Sequence, residues 1–175
     1  MFPLVVLKRI AFAAQRAKVM AEIFDLDKYD LNILNALQDD GRMSFTDLGK
    51  RVGLTTTPCI DRVRKLERAG YIKGYSARLS ASLLDRGLVV FVQIRLDRTS
   101  KRSFEDFRRM VQKVASVQEC YLVTGSFDFL VKARIKDMAA YRSLLEEELL
   151  NLPGVKESTS IAAMESIKET LAINI

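Results

Sequence analysis

The chain has 175 residues, 49% of them apolar and 29% charged, with a formal charge of +6. That length allows one domain of about 150 residues or two smaller ones, and that apolar fraction excludes wholesale disorder. There is no histidine and no tryptophan, so the sequence has no imidazole base, no His-containing triad and nearly none of the common zinc sites.

Residues 1–19 carry Lys8, Arg9, Arg16 and Lys18 and no acid. Their apolar stretch precedes their charges, the reverse order of a secretory signal, and no small-x-small cleavage site follows it. The expectation is that Met20 begins the functional chain and that residues 1–24 are an extension outside the folded part. A transit peptide or membrane-surface helix is the alternative. No apolar run approaches the roughly 18–20 residues of a membrane span.

Within 27–39, Leu31, Ile33, Leu34 and Leu37 recur at near-helical spacing, with Asp25 or Asp27 as N-cap and Gly41 as the stop. Ser44, with Asp47 three residues on in the manner of a capping box, starts a second helix with a buried stripe of Leu48 and Val52. Gly53 makes the sharp turn after it. A third helix starts between Thr55 and Thr57, where Pro58 is tolerated because first-turn N–H groups lack an intrahelical acceptor. Ile60, Val63, Leu66 and Glu67 fall on one side of that helix; Asp61, Arg64, Lys65 and Arg68 fall on the other. Gly70 ends it. Tyr71–Ser80 reads as extended, and a turn at 82–87 reads as a hinge.

Charge is unevenly spread. Residues 20–40 hold Lys28 against six acids, whereas residues 41–78 hold nine cations against Asp47, Asp61 and Glu67. A positive field focused on a helix-turn-helix is what a duplex-DNA reader needs: one helix enters the groove, another braces it, and cations grip phosphates.

The second half has a different grammar. Residues 88–96 form a strand, and 103–115 a helix with Phe104, Phe107, Val111 and Val114 inward. Residues 118–124 and 127–135 are two strands joined at Gly125-Ser126, a hairpin signal. Residues 138–152 form a helix broken by Pro153-Gly154, and 155–167 a final strand. The order βαββαβ is the ferredoxin-like α/β sandwich, an antiparallel sheet with two helices on one face. The fold class is therefore α+β, with domains at 25–74 (helix-turn-helix, winged-helix-like), 75–87 (linker strand and hinge) and 88–175 (sensing and oligomerisation). Cys59 and Cys120 lie in different domains without C-x-x-C spacing; both read as small buried hydrophobes in a reducing, cytosolic setting.

The segments LDKYDLNILNALQDDGRMSFTDLGKRVGL and TPCIDRVRKLERAGYIKGYSARL resemble the N-terminal domain of the Lrp/AsnC family, the leucine-responsive and asparagine-responsive regulators. VQECYLVTGSFDFLVKARIKDMAAYRSLL and LPGVKESTS resemble that family's ligand-sensing domain, and the leucine-responsive branch looks closest. The likeness spans about residues 25–170. It implies a cytoplasmic, nucleoid-associated bacterial transcription factor that binds double-stranded DNA as homodimers assembling to octamers or higher. It also implies amino-acid binding at or near dimer–dimer contacts, leucine or methionine being the expected effector, and no other cofactor, metal or membrane partner.

For DNA, Thr55, Thr56 and Thr57 offer hydroxyls and methyls at the reading end of the third helix. Arg62 and Lys65 suit base or near-base contacts, because their donors match guanine O6 and N7. Lys50, Arg51, Arg64 and Arg68 suit phosphates. For the effector, backbone N–H groups around Thr124, Gly125 and Ser126 can take a carboxylate, and Asp128 can pair with an ammonium. Leu122, Met138 and Tyr141 can wall the apolar side chain, and Ser158, Thr159 and Ser160 can add polar contacts from a neighbouring subunit. An enzyme finds no nucleophile–base pair or phosphate loop here, and Glu146-Glu147-Glu148 reads as a solvated helix face. RNA binding finds no aromatic RNP-like pair on the strands. An architectural nucleoid protein with no obligatory effector is the remaining alternative.

Overall fold

The computed structural model describes residues 25–97 and 100–175. The expectations for residues 1–24 lie outside the described residues. Contacts divide these into two units: residues up to Ala77 together with Thr170–Ile175, and Arg78–Glu169. The last six residues thus pack with the helices, not with the sheet as expected, and the first unit runs three residues past the expected Gly74.

The first unit is built of α1 (Lys28–Asp39), α2 (Phe45–Val52) and α3 (Thr56–Arg68). Asp27 caps α1 by accepting from the Asp30 backbone, and Asp30 returns a bond to the Asp27 backbone, closing a capping box. Ser44 caps α2, a contact worth about 1 kcal/mol, and its hydroxyl also donates to Asp47 at 2.6 Å. Gly53 ends α2 in the left-handed region at φ 76°, where a side chain is strained. Ile33, Ala36, Leu48, Val52, Cys59, Val63 and Leu66 form the core. Burial pushes the Cys59 thiol pKa up, in keeping with its expected role as a small hydrophobe.

The segment expected to be extended, residues 71–80, forms no strand, and none forms among the described residues between Arg68 and Leu88. Within this unit Tyr75 folds back, its hydroxyl donating to Glu67 at 3.0 Å and its ring lying over Gly41. At the far end of the chain, Ile173 exchanges two hydrogen bonds with the Gln38 side chain, its N–H donating at 2.6 Å and its carbonyl accepting at 3.0 Å.

The second unit is β1 (Leu88–Leu96), α4 (Lys101–Val111), β2 (Val117–Leu122), β3 (Phe129–Ile135), α5 (Met138–Ser143) and β4 (Val155–Ala162). The antiparallel sheet has the order β2-β3-β1-β4, as a βαββαβ chain requires. Val90, Val92, Ile94 and Leu96 of β1 and Phe129, Val131, Ala133 and Ile135 of β3 alternate into the core beneath the helices. There Phe107 stacks on Phe129 at 4.2 Å between ring centroids. Cys120 packs against this cluster, and burial raises its pKa to about 11.

Three elements depart from the spacing-based reading. The helix expected over 103–115 runs from Lys101 to Val111. β4 stops at Ala162, five residues short of the expected Ile167, because β1 begins at Leu88 and offers no partner beyond the Ala163 N–H to Val89 carbonyl bond. The helix expected to run to Leu152 continues from α5 as a π-helical stretch, Leu144–Leu149, which turns both Leu144 and Leu149 into the core.

Candidate functional site

The turn between α2 and α3 is closed by the Leu54 N–H donating to the Gly49 carbonyl at 2.8 Å. A Cβ on Gly49 would lie 2.8 Å from the Leu54 carbonyl oxygen, closer than real Cβ atoms come. Gly49 was not singled out from the sequence, although a glycine inside a helix is itself the signal of a close backbone approach.

Because Cys59, Val63 and Leu66 are buried, the opposite face of α3 is presented outward, with Thr57, Asp61, Arg64, Lys65 and Arg68 all exposed. Arg64 and Arg68 have no carboxylate partner among the described residues. Thr55 is the N-cap residue, yet its side chain makes no capping bond, so its hydroxyl is not spent on the helix; Thr56 is half-buried. Lys50 and Arg51 are exposed on α2, Lys50 lying 3.8 Å from Asp47 and Arg51 paired with Asp39.

Arg62 is placed otherwise than expected. It sits at the flank of α3, and its Nη1 donates to Asp27 Oδ2 at 2.7 Å and to Asp30 Oδ1 at 2.8 Å. Its guanidinium lies over the Tyr29 ring, 5.4 Å from the centroid. Asp30 is the single buried charged residue among those described, at 2% exposure. With the capping box, all four oxygens of the two carboxylates accept a hydrogen bond. The bond from the Asp30 backbone, helped by Arg62, holds the Asp27 carboxyl below its ordinary pKa, and Arg62 is raised in turn, first by Asp30. With its Nη1 held in this way, Arg62 joins α3 to the start of α1.

In the second unit the loop from Val123 to Asp128 joins β2 to β3. The Val123 N–H donates to the Asp128 carbonyl at 3.0 Å, and the Asp128 N–H donates to Ile94 at 2.9 Å. Asp128 Oδ2 also accepts from the Leu96 N–H at 2.8 Å, fastening the loop to the end of β1. Gly125 holds φ 141°, a conformation side chains rarely adopt, and a Cβ there would meet nothing. Thr124, Gly125 and Ser126 are exposed.

Of the expected effector residues, Ser126 and Ser158 come together with Thr159. They line an open recess of about 130 Å³ whose other walls are Gln93, Arg95, Phe127 and Glu157. Arg95 and Glu157, 3.4 Å apart, bring one charge of each sign to it and were missed by the sequence reading. Their juxtaposition depends on the β1–β4 register, which pairs Arg95 with Glu157 across 62 residues. Tyr141 and Ser160 lie elsewhere: the Tyr141 ring is buried on the helix side, and its hydroxyl is hydrogen-bonded to the Ser160 Oγ. Tyr141 is therefore a core residue in the single chain and not an open wall, while Met138 is 56% exposed.

Residues 26–73 match the family of winged helix-turn-helix DNA-binding domains, and residues 89–173 match the Lrp/AsnC ligand binding domain. The leucine-responsive regulatory proteins of Salmonella typhimurium and Escherichia coli are each 53% identical over 146 residues, covering 83% of this chain and 89% of theirs.

The chain belongs to the Lrp/AsnC family.

A transcriptional regulator of Neisseria meningitidis, solved as a complex with L-Met, is 35% identical with a TM-score of 0.82, over 86% of this chain and 97% of that one. An AsnC-family regulator of Agrobacterium tumefaciens is 33% identical with a TM-score of 0.82, over 85% and 97%. Lrp/AsnC proteins are DNA-binding transcriptional regulators with a ligand-binding domain, not enzymes. Among the described residues, no helix is long and apolar enough to cross a membrane.

Proposed function

We propose that this Lrp/AsnC protein is a sequence-specific transcriptional regulator of the bacterial cytoplasm, associated with the nucleoid. Its DNA binding is modulated by a small apolar amino acid, leucine or methionine. The observation that carries the reading is the joining, in one chain, of a helix-turn-helix with an exposed cationic recognition face to the Lrp/AsnC ligand binding domain. The names of the relatives point to leucine and the Neisseria complex to methionine. Arg64, Arg68 and Lys50 are the proposed phosphate contacts, and Lys65, expected at a base or near-base position, is proposed to join them because it stands in the later turns of α3, while Thr55 and Thr57 stand at its reading end.

The effector site is proposed to be completed where copies meet. A recess of about 130 Å³ is well below the roughly 300 Å³ at which ligand pockets begin, so this recess as one chain forms it does not enclose an amino acid. The sheet face turned away from the helices carries Phe91, Leu130, Ile161 and Tyr121, the last two about half exposed. That surface supports homodimers, and further assembly to octamers would bring a second chain to the Thr124–Asp128 loop. A ligand there shifts the balance of assemblies by its differential affinity for them, and so changes how many recognition helices engage one DNA.

Light scattering on the eluting protein, with and without leucine and methionine, reads assembly and ligand together. A mass shift with either amino acid is expected. Unchanged mass and unchanged DNA affinity with both, together with weak sequence preference, would favour an architectural nucleoid protein instead. Asp128→Asn separates two roles of that residue, since an amide oxygen still accepts from Leu96 N–H while the charge is gone. Stability should be retained and the thermal shift with ligand lost.

A further inference from the structure

From the way Arg62 is spent, we infer that Asp61 determines base specificity, selecting a cytosine through its N4 amino group in the major groove. This rests on the reading of the chain as a sequence-specific DNA binder and says which side chain does the discriminating.

In a helix-turn-helix the N-terminal part of the second helix reaches base edges, and later residues meet the backbone. From Gly53 to Asp61 there is no cation at all, and Arg62, the first to follow, is held by Asp27 and Asp30. The outward polar side chains at the reading end are therefore Thr55, Thr57 and Asp61. Threonine accepts and donates alike and discriminates weakly. A carboxylate only accepts, and the base that it matches in the major groove is cytosine, which presents the N4 donor, whereas the N6 donor of adenine stands beside an N7 acceptor that repels a carboxylate.

The other acids of this unit that lie beside cations or donors are engaged. Asp27 and Asp30 hold Arg62, Asp39 holds Arg51, Asp47 accepts from Ser44, and Glu67 accepts from Tyr75. Asp61 is exposed, makes no hydrogen bond or ion pair within the described residues, and caps nothing. It also stands three and seven residues before Arg64 and Arg68, on the face that must approach phosphates. A negative charge there weakens binding to every duplex alike, unless one base pair compensates it. Lowered affinity for most sequences together with a specific donor for one is how a single residue discriminates.

The test is selection of binding sites from a randomised duplex pool by the full chain, comparing wild type with Asp61→Ala, Asp61→Asn and Asp61→Glu, each checked for fold by circular dichroism. The wild type should show a cytosine at one position of each half-site, with substitution there costing about tenfold in affinity. Asp61→Ala and Asp61→Asn should lose that preference, leave the other positions unchanged and bind random duplex at least as tightly as the wild type. Asp61→Glu should keep the cytosine. If Asp61→Ala and Asp61→Asn retain every base preference of the wild type, the assignment is overturned while the DNA-binding reading stands. A wild type that shows no base preference overturns both.

Discussion

Replacing Arg62 with alanine tests whether that side chain holds the recognition helix or reads DNA. In the folded protein its Nη1 bonds to two carboxylates, and Asp30 is 2% exposed. Removing one partner of a fully buried ion pair costs about 3–5 kcal/mol, because the remaining charge is left without compensation. Two features reduce that here: Arg62 is itself 31% exposed, and the second Asp30 oxygen keeps its bond from the Asp27 N–H. We therefore expect Arg62→Ala to destabilise the helical unit by about 2–3 kcal/mol. The assay is urea unfolding followed by far-ultraviolet circular dichroism, with DNA affinity measured in parallel well below the unfolding midpoint. Asp30→Ala combined with Arg62→Ala should cost less than the two single changes added together, by at least about 1 kcal/mol, since neither charge is then stranded. An Arg62→Ala protein with wild-type stability and lost sequence preference would refute the argument and return Arg62 to the DNA interface.

Three further outcomes follow from the same geometry. Gly49→Ala forces a Cβ to within 2.8 Å of a backbone carbonyl in a two-helix turn, which should cost roughly 1–3 kcal/mol in urea unfolding; an unchanged midpoint would show that the turn relaxes freely. Arg64→Ala or Arg68→Ala should weaken binding to all duplexes alike and lower the slope of log affinity against log salt by about 1, read from a salt titration. The Asp27 carboxyl has its pKa lowered in the folded protein, so it binds a proton less readily there than in the unfolded chain. Its stabilising contribution is complete above the ordinary carboxylate value of about 4 and is lost as pH falls through the lowered one. Wild type should therefore lose more stability below pH ~4 than Asp27→Asn, whose amide oxygen can still cap α1, and parallel curves would contradict this.

The parts of the fold visible in the sequence were those that local chemistry decides. Asp27 and Ser44 cap helices because a side-chain oxygen three residues before an N–H has one obvious partner, and β1 and β3 alternate because each buries one face. What escaped depended on partners distant in the chain. Arg62 lies between the buried and outward faces of α3, so its spacing suits either side; the carboxylates that capture it come 32 and 35 residues earlier. Asp128 looked like a charge offered to a ligand, yet one oxygen fastens the loop to Leu96. Tyr141 fits a helix period that serves a pocket wall and a core equally, and only the packing against Ser160 decides between them. The π-helical stretch left one trace, two core leucines five residues apart at Leu144 and Leu149, which an α-helical period absorbs without contradiction.

The charge asymmetry is sharpened by the same contacts. By sequence, an acidic segment precedes a window of nine cations against three acids, as though a repulsive region adjoined an attractive one. In the folded unit the two segments interlock. Asp39 neutralises Arg51, and Asp27 with Asp30 neutralises Arg62, so part of the basic window is internal structure. The field that reaches a duplex comes mainly from the outward face of α3 and its later turns, where Arg64 and Arg68 stand. With Arg64 and Arg68 as the main proposed phosphate contacts, one subunit would contact fewer phosphates than nine cations suggest, and its nonspecific binding would be correspondingly weak. A regulator built in this way gains most from presenting several recognition helices at once, because each added unit multiplies a modest contact into avidity. If copies assemble as proposed, weak single units make occupancy of DNA steeply dependent on assembly, and assembly is then the quantity that an amino acid bound between them would change.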